Sequence, residues 1–173
     1  MSGSILCLDL ATQMGWCEGE PGGKATSGTY RLAPEGASPA AIAGGLIEWL
    51  GQRLTTFRYR MVAYEAPMDP RHMKTNINTA RLLLGLCAIV EGVAYQTGHG
   101  QRLREVNVHD ARKHLLGARP PKGESKAQVM RMVTALGHKP ADDNEADAIA
   151  IWHYASAIAD SRIAQMTTPL FNR

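Results

Sequence analysis

Three acids stand where acids are costly. Asp9 lies inside Ile5-Leu6-Cys7-Leu8-Asp9-Leu10, an otherwise apolar run. An ionised carboxylate there is strongly destabilising unless something partners it. A hydrogen bond to nearby backbone or to Thr12 would serve, and so would a cation. Glu65 closes a second such run, Val62-Ala63-Tyr64-Glu65, just ahead of Ala66-Pro67. A Glu before a Pro turn is often merely solvated, but strand-end residues of α/β sheets also line the ligand crevice. The third feature is Asp142-Asp143-Asn144-Glu145-Ala146-Asp147. Asp142, Asp143 and Glu145 suit the start of a helix, whose exposed N–H groups favour negative charge. Asp147 lies further in, among Ala146, Ala148 and Ile149, where that explanation is poor. Asp143 or Asn144 would share a helix face with Asp147, by their spacings of four and three.

Carboxylates drawn from a first strand, a middle strand and a late helix suit hard, oxygen-seeking ions. Mg²⁺ takes one or two carboxylates, keeps several waters and lets phosphate oxygens complete its shell. Two such ions about 3.5–4 Å apart activate a water and stabilise the leaving oxygen of a phosphodiester.

The elements that must hold these acids follow from hydrophobic periodicity. Residues 4–10 read as a buried strand, and 15–18 and 26–32 as two more around the turn Gly19-Glu20-Pro21-Gly22-Gly23. Ser38 caps a helix over 39–56 with the stripe Ile42, Leu46, Trp49, Leu50 and Leu54. A fourth strand spans 60–65, a long helix 76–97 and a fifth strand 102–106. Helices over 108–116, 125–136 and 144–163 complete the chain. The expected architecture is α/β: one domain over residues 1–173, with a mixed five-stranded sheet that joins an antiparallel hairpin portion to strands linked by helices.

Composition agrees. At 173 residues and 45% hydrophobic content the chain suits a single folded domain, and its longest apolar stretch, Leu82–Val90, is too short to span a bilayer. Met1-Ser2-Gly3-Ser4 lacks the basic start of a signal peptide. Cys7, Cys17 and Cys87 form no metal-binding spacing and read as buried thiols of a reducing compartment. The net charge of +3 conceals a segment, 102–139, with nine basic residues and three acids. Such a surface meets phosphates, or is simply solvated. Arg71, His72 and Lys74 form a further basic loop after the Glu65 strand.

The series Ile5–Trp16, Tyr64-Glu65, Val108–Gly117, Lys122–Val129 and Asp143–Ala150 resembles the RuvC-type Holliday-junction resolvases, particularly their phage and prophage-like branch. The likeness runs from residue 5 to about residue 155. It implies an RNase H-like fold and a homodimer that nicks four-way DNA junctions with two Mg²⁺ ions per site, Mn²⁺ substituting. By position, Asp9, Glu65 and Asp147 match metal-binding acids. The family's fourth acid or His falls on Asn144, and Asp143 is the favoured substitute. Lys113, Lys122 and Lys126 match a DNA-contacting basic segment, and Arg119 lies within it; Arg71 and Lys74 would enter the junction from their loop. The resemblance assigns the 79–94 helix to dimer pairing, and it implies a cytoplasmic protein of a bacterium or a phage-infected host. Competing readings are a nuclease for other branched DNA or RNA and a non-catalytic junction binder. The low aromatic content argues against a stacking-based single-strand binder.

Overall fold

The computed structural model describes residues 3–67, 76–118, 120–121, 123–160 and 163. Five strands form one sheet: β1 (Ile5–Asp9), β2 (Gln13–Gly19), β3 (Ala25–Arg31), β4 (Met61–Glu65) and β5 (Leu103–Val106), in the order β3-β2-β1-β4-β5. The first three strands are antiparallel neighbours, while β4 runs parallel to both β1 and β5. The mixed α/β sheet expected from the sequence is therefore present.

Side chains on β1 alternate between two cores, as the period of two demands. Leu6 and Leu8 pack beneath α1 (Pro39–Thr56) and α2 (Ile77–Gln96). Ile5 and Cys7 pack beneath α3 (Val108–Leu116), α4 (Ser125–Ala135) and α5 (Asp143–Ala159). Met61 and Ala63 of β4 belong to the second core, so odd-numbered residues of both parallel strands face α5. Asp9 and Glu65 are the next odd positions, at the adjacent ends of these two strands.

The helices start where their caps dictate. Ser38 accepts a hydrogen bond from the N–H of Ala41, and Asn76 from that of Thr79. Ile42, Leu46, Leu50 and Leu54 form the buried stripe of α1. Helix α2 is 20 residues long with a mean hydropathy of 1.5 over its most apolar window, enough by composition to cross a membrane. Its Leu86, Val90 and Ala94 are nonetheless buried in the first core. Helix α5 ends at Ala159, short of the expected residue 163, because Asp160 turns to extended backbone.

One contact sets the position of α5. Gly15 of β2 pairs in register with Asp9, and the first turn of α5 lies directly on it. A Cβ at residue 15 would stand 2.0 Å from the carbonyl oxygen of Asn144. Only hydrogen fits in that space, so α5 approaches the sheet closely enough for Asp147, one turn on, to reach the end of β1. Gly15→Ala is expected to push the N-terminal turn of α5 off β2 and destabilise the fold by about 2 kcal/mol or more. Urea unfolding checks this; an unchanged midpoint would show that the contact is slack.

Candidate active site

Asp9, Glu65 and Asp147 converge on one end of the sheet. Asp9 is 6% exposed and Asp147 5%, so both carboxylates are largely out of water. Asp9 shares a side-chain hydrogen bond with Glu65 and feels the charge of both Glu65 and Asp147. Burial first, then that hydrogen bond, then those like charges push the Asp9 carboxyl well above the usual carboxylate range. A proton on Asp9, or a cation among the three acids, relieves this repulsion. The Asp9 partner considered from the sequence, Thr12 or local backbone, is thus replaced by another acid.

The counter-charge is Arg112 of α3. Its Nε and Nη2 donate to the two oxygens of Asp147 at 2.9 and 2.5 Å. The side chains are 14% and 7% exposed, so this is a nearly buried, bidentate pair. Burial works against the guanidinium's charge, but Asp147, then Glu65 and Asp9, more than offset it and raise its pKa. Removing one member of such a pair costs about 3–5 kcal/mol.

Sequence reasoning chose Lys113 rather than Arg112. Lys113 is exposed, one step further round α3. The signal was available: Ala111 and Leu115 mark the buried side of α3, and Arg112 lies closer to that side than Lys113 does. Lys126 of α4 pairs with Asp143, whose carboxyl this hydrogen bond holds below the usual range. Arg71, Lys74, Arg119 and Lys122 lie outside the described residues.

Asn144 serves the scaffold. Its Nδ2 donates to the carbonyl of Gln13 at 2.7 Å, which leaves the amide oxygen as its one ligating atom. Gln13 in turn donates to Asp142 at 2.6 Å. Asp142 caps α5 by accepting from the N–H of Glu145, and Glu145 accepts from Ser27 and from the N–H of Ala141. Asp142 and Glu145 thus complement the helix start, as expected, and also clasp it to β2 and β3. Gln13 and Ser27 carried no sequence signal for this. His138 and His153 pair with each other through their Nε2 atoms at 3.3 Å rather than with the acids.

Donor type fits Mg²⁺ or Mn²⁺: three carboxylates from three elements, with Asp143 at the rim. As the side chains stand, no three His, Cys, Asp or Glu among the described residues surround a single point. Arg112 and Lys126 engage two of the acids instead.

The fold is shared with solved RuvC and Ydc2 structures. Thermus thermophilus RuvC matches with a TM-score of 0.63 at 18% identity, over 90% of this chain and 95% of that one. The same protein solved with a Holliday junction substrate matches at 0.70 and 19%, over 93% and 97%. The yeast mitochondrial Holliday junction resolvase Ydc2 matches at 0.61 and 11%, over 94% and 83%. No protein-family model matches the sequence, and no curated protein sequence does.

Crowded buried acids cost stability. Asp9→Asn is expected to raise the melting temperature at neutral pH in EDTA, since it replaces a buried acid that must either ionise beside two other carboxylates or take up a proton. Differential scanning fluorimetry measures this; a lower melting temperature would mean the carboxylate is a structural partner.

Proposed function

We propose that the chain is a metal-dependent, structure-selective endonuclease that resolves four-way DNA junctions by paired nicks. The observation that carries this reading is the convergence of Asp9, Glu65 and Asp147 at one sheet end of a RuvC-type fold. One solved relative with that fold holds a Holliday junction substrate, which makes branched DNA the favoured substrate.

Asp9, Glu65 and Asp147, with Asp143 as the fourth acid, would hold two Mg²⁺ or Mn²⁺ ions. Bound there, the ions supply an activated water and offset charge on the leaving oxygen. The protein's share is placement. Asp9 shares a hydrogen bond with Glu65 and feels the charge of Asp147, so the three acids act on one another. Lys113, Arg119, Lys122 and Lys126 lie in the basic segment suited to holding the DNA backbone, and Arg71 and Lys74 to entering the junction. Three buried, unpaired cysteines suit a reducing compartment such as the cytoplasm, of a bacterium or of the host of a phage.

Incubation of the protein with a labelled four-way junction, a linear duplex and an RNA/DNA hybrid tests the reading. Symmetrical nicking of the junction alone, dependent on Mg²⁺, is expected. Asp9→Asn, Glu65→Gln and Asp147→Asn should each reduce the rate by more than about 100-fold, beyond the 10–100-fold typical of a metal site's outer partners. Cleavage of the hybrid instead would assign a different nuclease, and binding without cleavage a junction-binding protein.

Two opposed nicks require two sites, and one chain has one. We infer that a second copy pairs through α2, whose Ile77 and Tyr95 are 71% and 81% exposed beside Leu84. Sedimentation should show a dimer, and Leu84→Glu with Tyr95→Glu a monomer. A monomeric wild-type chain would remove the pairing.

A further inference from the structure

We propose that Arg112 and divalent ions compete for Asp147, so that ion binding releases the Arg112 guanidinium toward the DNA backbone. This deepens the nuclease reading and rests on it.

The competition follows from geometry and charge. Arg112 occupies both oxygens of Asp147 at 2.9 and 2.5 Å in a nearly buried setting. An ion bound to Asp147 would need one of those same oxygens as a ligand. A double positive charge and a guanidinium on one small carboxylate repel strongly where water is scarce. The charges acting on Arg112 come from Asp147, Glu65 and Asp9, the three acids assigned to the ions. Ions that take those acids therefore remove what holds Arg112 in place.

The side chain can leave without moving its helix. Ala111 and Leu115 anchor α3 in the second core, and the flexible methylene stem of Arg112 carries the guanidinium. A freed guanidinium presents a planar fork of donors that matches phosphate. Lys126 repeats the arrangement on α4, paired to Asp143 at a more exposed position. Basic side chains on α3 and α4 thus each clasp an acid of α5. Linkage makes the coupling reciprocal: if ions free Arg112 for phosphate, DNA raises ion affinity by the same factor that ions raise DNA affinity.

Two measurements test the proposal, neither of which reads cleavage. The first is Mn²⁺ titration of the full chain by calorimetry, without DNA. Arg112→Gln should bind Mn²⁺ about fivefold more tightly than wild type, or better, the lower end of ordinary coupling. Equal or weaker binding overturns the competition, as does absence of binding by both proteins. The second is junction binding in EDTA and in Ca²⁺. Wild type should bind more tightly in Ca²⁺. Asp147→Asn should bind more tightly than wild type in EDTA and gain less from Ca²⁺, since its Arg112 has already lost its carboxylate hydrogen-bond partner. Equal binding of Asp147→Asn and wild type in EDTA overturns the release step, and this arm decides the matter if Arg112→Gln does not fold. Tighter Mn²⁺ binding by Arg112→Gln, with no junction binding by any protein, would retain the competition for Asp147 and overturn both the release toward DNA and the junction-nuclease reading.

Discussion

Carboxylates of like charge, brought together out of water, are the constraint on which the rest of the structure turns. Asp9 and Asp147 are nearly buried, and Glu65 shares a hydrogen bond with Asp9. Such a group persists only if a proton, a basic side chain or a bound cation balances it. Arg112 supplies the balance here, through a bidentate pair with Asp147. The chain thus carries an arrangement that is unfavourable for stability and suited to holding cations.

The fold is organised around making that arrangement possible. Parallel pairing of β1 and β4 sets the ends that carry Asp9 and Glu65 side by side. The third acid comes from a helix, and a helix ordinarily packs well clear of a sheet's backbone. Gly15 removes the obstacle by letting the Asn144 carbonyl sit where a Cβ would be. Asn144, Asp142, Gln13, Glu145 and Ser27 then fasten that turn through hydrogen bonds. The scaffold spends polar groups to fix the helix end from which Asp147 acts on Asp9.

Much of this was legible in the sequence, for physical reasons. An acid in an apolar strand is an anomaly, and Asp9 and Asp147 announced themselves as such. Helix α1 was readable from Ser38 and its apolar stripe, and the hairpin from its glycines. Arg112 was harder to read, since adjacent basic residues differ only by a helical rotation and a surface lysine looks like a functional one. The clasp through Gln13 and Ser27 spans more than 100 residues of sequence, and nothing local marks it. Asn144 stands where the resemblance puts an acid or His; its place against β2 shows a structural use that spacing alone does not reveal.

The account stands or falls on whether these acids hold cations. Anomalous scattering from crystals grown with Mn²⁺ tests this most directly. Peaks between Asp9, Glu65 and Asp147, with the Arg112 guanidinium displaced from Asp147, are the predicted result. An intact Arg112–Asp147 pair with no anomalous peak among the three acids would contradict it.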